Sequence, residues 1–203
     1  MFMNMQADYS YILILLIFIG GYVLGSVPFG LVLTRLAGYG DIRNIGSGNI
    51  GATNVLRTGN KFLALLTLIL DIGKGAIAVV IAEYYYPGLG LFAGGGAFIG
   101  HLYSVFLKFT GGKGVATFLG IMIALNPFSG IACCLSWLIT ALIFRISSLS
   151  ALVAALLSPL YSYYFSDFKL AILAGILCIL ILLKHNENIK RLLNGTEPRI
   201  GKK

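Results

Sequence analysis

Apolar residues in this chain come in runs long enough to cross a bilayer, one after another, almost from end to end. A helix needs about 20 apolar residues to span the hydrocarbon layer, fewer where it is broken or covered by protein. The runs Tyr9–Arg35, Lys61–Tyr86, Gly88–Phe109, Val115–Leu125, Pro127–Arg145, Leu149–Phe165 and Phe168–Lys184 meet that description. They predict an all-α integral membrane protein, a bundle of about seven transmembrane helices that forms a single membrane-embedded domain over residues 1–203. The fourth run is short, and it has an alternative reading with the fifth as one long helix kinked at Pro127. No polar stretch is long enough to fold as a soluble domain. With 58% hydrophobic and 11% charged residues, the chain has too little charge to cover a soluble surface. Only Asp8 precedes the first run where a signal peptide carries basic residues, and no small-residue cleavage site follows, so this run is read as a retained span.

Charge orients the bundle. With the N-terminus outside and the spans alternating, all of the 15 basic residues except Lys74 and Lys169 fall at one end. The positive-inside rule makes that end cytoplasmic, so the N-terminus is expected outside and the C-terminus in the cytoplasm. The net charge of +8 is mostly this asymmetry. Basic residues divided among short loops argue against nucleic acid and for small anions and anionic membrane lipids. Gly21/Gly25, Gly90/Gly94 and Gly96/Gly100 have the spacing that lets helices approach closely. Cys133, Cys134 and Cys178 lie within apolar runs without metal-ligand spacing, and are read as small lipid- or core-facing residues.

The polar chemistry gathers in three segments at the basic end. The first loop, Asp41 to Arg57, sets Gly46, Ser47, Gly48, Asn49, Thr53 and Asn54 between Arg43 and Arg57. Backbone N–H groups, neutral donors and flanking guanidinium groups suit an anion nest for phosphate; the alternative is a flexible linker. The second loop, Gly111-Gly112-Lys113-Gly114, opens into a span whose N-terminus carries partial positive charge. It is not a Walker A loop, because Gly114 stands where Ser or Thr is needed. In the third, the tail, His185 and Asn188 share a helix face as the last span ends; the alternative is a basic helix lying on anionic lipid. Within the spans, Asp71 and Lys74 are spaced to form a helix-docking ion pair, and His101 reads as a hydrogen-bonded core histidine. Ser147 and Ser148 are read as helix caps. Acidic residues near the loops are few, which makes poor ligation for magnesium or zinc, so no metal and no cofactor are expected.

The runs at 46–54, 111–117 and 185–197, with Gly25-Ser-Val-Pro28 and Leu70-Asp-Ile-Gly-Lys-Gly75, resemble the PlsY family of membrane glycerol-3-phosphate acyltransferases. The resemblance implies a bacterial inner-membrane enzyme that moves an acyl group from acyl phosphate to the 1-hydroxyl of glycerol 3-phosphate. Its products are 1-acyl-glycerol 3-phosphate and phosphate, in phospholipid synthesis, and a soluble enzyme supplies the donor. It further implies that Ser47 and Arg57 hold substrate, Lys113 and its glycines bind phosphate, and His185 and Asn188 line the acceptor site. Ser148 matches a further substrate contact, and Glu197 a glutamate tied to structural integrity. The residues agree with this chemistry. Acyl phosphate is an activated anhydride, so positioning and charge stabilisation suffice, and the departing phosphate can take the hydroxyl's proton. The His-x-x-x-x-Asp mechanism is excluded, because Phe106 and Lys190 stand five places after His101 and His185. A transporter of a phosphorylated metabolite is the competing class; it predicts inverted repeats, and none is visible.

Overall fold

In the computed structural model, which describes residues 9–201, the regular elements are all helical. Asp8, Lys202 and Lys203, which entered the sequence argument, lie outside the described residues. The helices are α1 (Tyr11–Ser26), α2 (Phe29–Leu36), α3 (Ala52–Val55), α4 (Lys61–Tyr85) and α5 (Gly90–Leu102). They continue with α6 (Val115–Leu125), α7 (Pro127–Phe144), α8 (Ser147–Phe165), α9 (Phe168–Lys184) and α10 (Asn186–Leu193). Several starts are written in the sequence. The side chains of Ser10, Asn60, Asn126 and Asp167 each accept the backbone N–H three residues on, which satisfies an orphan donor of the first turn.

The first expected span is two helices. Pro28 has no N–H to continue the ladder, and the chain breaks between α1 and α2. The carbonyls freed there are covered from other parts of the bundle: Lys74 Nζ donates to Val27 O (2.8 Å) and Ser104 Oγ to Ser26 O (2.6 Å). Pro159 in α8 is handled locally, where Ser158 Oγ donates to the carbonyl of Ala155 (2.8 Å), left without its usual partner. The third expected span stops as a helix at Leu102, and a 3₁₀ turn over Val105–Leu107 replaces its last part. The sixth starts at Ser147 rather than Leu149.

Helices α6 and α7 are separate, so the kinked-helix alternative fails. A Cβ on Gly130 would lie 2.4 Å from Ile123 Cα, whereas one continuous helix would hold those residues about 10 Å apart. Asn126 caps α7 and Pro127 opens it, so the turn is chemically specified. At 11 residues, α6 is only about 16 Å long. It can be short because it is interior: Phe118, Ile121 and Met122 are fully buried and join residues of α5, α8 and α9 in the main core. By length and apolar composition five helical stretches can cross a membrane, and α9 joins them when taken with α10 across a 66° bend.

The α1–α5 crossing is as close as the glycine spacing predicts. Cβ atoms on Gly21 and Gly25 would lie 2.2 and 2.0 Å from the carbonyl oxygens of Ala93 and Ala97. On the opposing helix, Cβ atoms on Gly96 and Gly100 would each lie 2.1 Å from the carbonyls of Phe18 and Tyr22. Gly90 departs from its expected role: it meets no neighbouring helix closely except through Glu83 of α4, whose Oε1 accepts its N–H (2.9 Å) and so caps α5.

The two ends of the bundle differ in chemistry. At one, Tyr9 meets Tyr86 edge-on (6.1 Å between centroids) and Phe128 stacks on Phe165 (6.3 Å), among exposed Tyr84, Tyr85, Tyr163 and Tyr164. An aromatic girdle of this kind marks a membrane interface. At the other end lie the loop before α4, the loop before α6, the α7–α8 turn and the tail, linked by the contacts described next.

Candidate active site

The first loop is organised from within. Asn54, at the third position of α3, is 2% exposed. Its Nδ2 donates to the carbonyls of Ile42 (3.0 Å), Ile45 (3.0 Å) and Asn49 (2.8 Å). Its Oδ1 accepts from the N–H (3.1 Å) and hydroxyl (3.3 Å) of Ser47. Asn54 is therefore the hub of the loop, a correction to its expected role as a phosphate ligand, because its whole amide is used internally. Asn49 uses its amide oxygen only, Oδ1 accepting from Ile50 N–H (2.9 Å). Gly46 and Gly48 take positive φ (56° and 68°), and Gly46 leaves room for Arg57, whose Nη1 would lie 2.4 Å from a Cβ there. Ser47 and Arg57 are exposed on this frame.

Arg43 is also corrected. Asp41 Oδ1 accepts from its Nε (2.9 Å) and Oδ2 from its Nη2 (2.6 Å), while Arg35 Nη2 reaches Asp41 Oδ2 (2.7 Å). Arg43's hydrogen bonds hold the Asp41 carboxyl well below the usual carboxylate range. A guanidinium already forked onto a carboxylate is not a free phosphate arm. That leaves Arg57 as the arginine of this loop facing the site.

The second and third segments meet directly. Lys113 Nζ donates to Asn188 Oδ1. Asn188 Nδ2 donates to Glu197 Oε1 (2.5 Å), which also accepts from Ser148 Oγ (2.7 Å), and Arg191 Nε binds Glu197 Oε2 (2.7 Å). Ser148 thus binds the tail rather than capping α8, whose cap position is Ile146 with no side-chain bond. Ser147 Oγ lies 3.3 Å from Thr53 Oγ1 and ties the first loop to the same corner. The tail is pinned again where Ile200 N–H donates to Arg145 O (2.6 Å). The second loop and the tail are therefore joined side chain to side chain, and the first loop reaches the same corner through Ser147, the neighbour of Ser148.

Electrostatics follow from this packing. Burial lowers the Lys113 pKa, the charges of Arg191 and Arg57 lower it further, and Glu197 opposes them. Burial works against the Glu197 carboxylate, but hydrogen bonds from Ser148, Asn188 and Arg191 hold its pKa below the usual range. His185, 3% exposed, has Nδ1 2.8 Å from Ile181 O, so that nitrogen carries the proton and Nε2 keeps a lone pair. Burial brings the imidazole down to about 4. Asp71 and Lys74 pair as expected (2.9 Å), and His101 is buried with Nδ1 3.2 Å from Thr117 Oγ1. Arg191 was missed by the sequence reading. The signal for it is its three-residue step beyond Asn188, which itself follows His185 by three, on one face of α10.

A family model described as "Glycerol-3-phosphate acyltransferase" matches residues 15–195. The chain belongs to the PlsY family of glycerol-3-phosphate acyltransferases. Over 183 residues it is 57% identical to the "Glycerol-3-phosphate acyltransferase" of Brucella canis, covering 90% of this chain and 91% of that one. It is 58% identical over 184 residues to the protein of that name from Cereibacter sphaeroides, with 90% and 88% covered. Two crystal structures of PlsY, an integral membrane glycerol 3-phosphate acyltransferase, superpose on it. The glycerol 3-phosphate form is 39% identical with a TM-score of 0.87, covering 93% of this chain and 96% of that one. The lysophosphatidic acid form is 37% identical with a TM-score of 0.85, covering 93% and 95%. As in those PlsY structures, this is a multi-pass membrane protein.

Proposed function

We propose that the chain is a glycerol-3-phosphate acyltransferase whose donor is acyl phosphate, and that its site is the cluster built on Lys113, Asn188 and Ser148. The observation that carries the reading is the junction of these residues: the half-buried ammonium of Lys113 with the polar side chains of Asn188 and Ser148, brought from three separate segments and tied together by Glu197, beside Arg57. Relatives described in glycerol 3-phosphate and lysophosphatidic acid forms support the acceptor and the product. In this reading the acceptor's 1-hydroxyl attacks the acyl carbonyl, a C–O bond forms, and the bond from the acyl carbon to the phosphate oxygen breaks. The hydroxyl proton passes to the departing phosphate, and Lys113 and Arg57 hold the charge that develops. His185 Nε2 accepts from the acceptor, and Ser47 turns its hydroxyl from Asn54 Oδ1 to donate a hydrogen bond to the substrate. An acyl-serine is not needed: a nucleophilic serine requires a base within reach, and the Ser47 hydroxyl faces Asn54 Oδ1.

The loop end faces the cytoplasm of the bacterial inner membrane in this proposal, because the basic residues gather there. A soluble cytoplasmic enzyme then delivers the acyl phosphate. The test is purified protein supplied with each donor. Phosphate should leave an acyl phosphate only when glycerol 3-phosphate is present, and acyl-CoA should not replace the donor. Equal turnover with acyl-CoA would remove the donor assignment. Uptake of glycerol 3-phosphate into proteoliposomes without acylated product would favour a transporter.

A further inference from the structure

His101 lies in the last turn of α5, away from the cluster on Glu197, yet it touches both sides of the segment that carries Lys113. On one side the Gly111–Gly112 backbone rests on it. Gly112 N–H donates to the His101 carbonyl (3.0 Å), one of the orphan acceptors of the helix end. Cβ atoms on Gly111 and Gly112 would lie 2.1 Å from His101 O and 2.3 Å from His101 Nε2, so the fit of loop to imidazole leaves no space for a side chain. On the other side, Thr117, in the first turn of α6, lies 3.2 Å from His101 Nδ1 through its hydroxyl. That hydroxyl also donates to the backbone carbonyl of Asp71 in α4 (3.0 Å). A hydroxyl has one proton. With it directed at Asp71 O, the Thr117 oxygen accepts from His101 Nδ1–H, and Asp71 Oδ1 lies 3.9 Å behind that nitrogen. The ring is thereby fixed as the Nδ1–H tautomer, its Nε2 turned to Gly112. Asp71 is itself held by Lys74, which binds the broken first span at Val27.

We infer that His101, gripped by Thr117, is a positioning residue for Lys113. It sets the height and direction of the glycine loop, so that the ammonium of Lys113 reaches the transferring phosphate. The inference rests on the proposed role of Lys113. It accounts for three features that phosphate binding alone does not: why Gly111 and Gly112 are glycines, why a histidine is buried here, and why Thr117 follows Lys113 by one helical turn.

The experiment is a double-mutant cycle on the full chain in detergent, with acyl phosphate and glycerol 3-phosphate. His101→Leu keeps the bulk and loses the donor, while His101→Asn keeps a donor near the Nδ1 position. Thr117→Val and Thr117→Ser form a second pair that probes the same bond without touching the imidazole. H101L and T117V are expected to lower kcat by about 10²-fold, the scale of a misplacement near 1 Å, with KM for glycerol 3-phosphate changed by a few-fold at most. H101N and T117S are expected to recover most of the loss. H101L combined with K113A should be no slower than K113A alone, because the lesion acts through Lys113. Losses that multiply in the double variant, or no rescue by both H101N and T117S, would overturn the inference while leaving Lys113 in place. Full activity in K113A would sink both this inference and the proposed site.

Discussion

Lys113 sits where burial and two guanidinium groups disfavour its charge, with Glu197 as the opposing influence. Under the proposed function a substrate phosphate reverses that balance by bringing negative charge to the ammonium. Lys113→Ala should therefore lower turnover on the order of 10²–10³-fold, as removal of a charge-stabilising donor does, measured by phosphate release. Ser47 has the opposite character: it is exposed, and its hydroxyl is bonded to an amide oxygen. Steady-state kinetics should be sequential, and an acyl group trapped on Ser47 in the absence of acceptor would overturn direct transfer. His185 makes a pH prediction. Its folded-state pKa of about 4 lies below the ordinary 6.5, so between those values the unfolded chain binds a proton that the folded protein refuses. Stability should be full above about pH 6.5 and fall by up to on the order of 3 kcal/mol as pH drops toward 4. His185→Gln should flatten thermal melts recorded across that window. An unchanged slope in that variant would assign the effect to other groups.

Among the elements, the α1–α5 crossing is the one whose contacts are made most directly by backbone. Gly25 lies on the carbonyl of Ala97, whereas a methyl carbon added to Gly20, on the same helix, would have nothing within 4 Å. Gly25→Ala must push the helices apart and should cost roughly 1–3 kcal/mol or more. Gly20→Ala faces open space and should be neutral or stabilising by up to about 1 kcal/mol from helix propensity. Melting of the two purified variants side by side tests this, and equal effects would mean the crossing is looser than described. The same logic explains α6. An 11-residue helix is poorly suited to meet lipid alone, and α4, α5, α7 and α9 surround it, so its length is fixed by its neighbours rather than by bilayer thickness.

For the molecule as a whole, the prediction concerns sidedness. The tyrosine-rich end and the loop end lie at opposite ends of the bundle, and by the positive-inside rule the basic residues predict that the loop end faces the cytoplasm. Single cysteines at Asn60 and Asn194 should resist an impermeant thiol reagent in intact cells, while one at Tyr86 should react. Labelling at Asn194 from outside would reverse the orientation and remove the cytosolic substrate from reach of the site.

The amino-acid sequence by itself determined the helices and their environment, because apolar run length and local caps are properties of neighbouring residues. Val115–Leu125 and Phe168–Lys184 were legible to the residue, and Asn126-Pro127 announces the start of α7. The three polar segments were legible too, since glycine, asparagine and cationic residues gather there between apolar runs. Only the tertiary structure decided what each of them binds. Asn54 and Arg43 look like phosphate ligands in a linear reading, and both are occupied by partners within their own loop. Ser148 and Glu197 stand 49 residues apart and share a hydrogen bond. His101 and Lys113 are related only through the packing of α4, α5 and α6. A hydrogen bond is short and directional, so its partner depends on how helices far apart in the chain come to rest, and composition and spacing do not encode that.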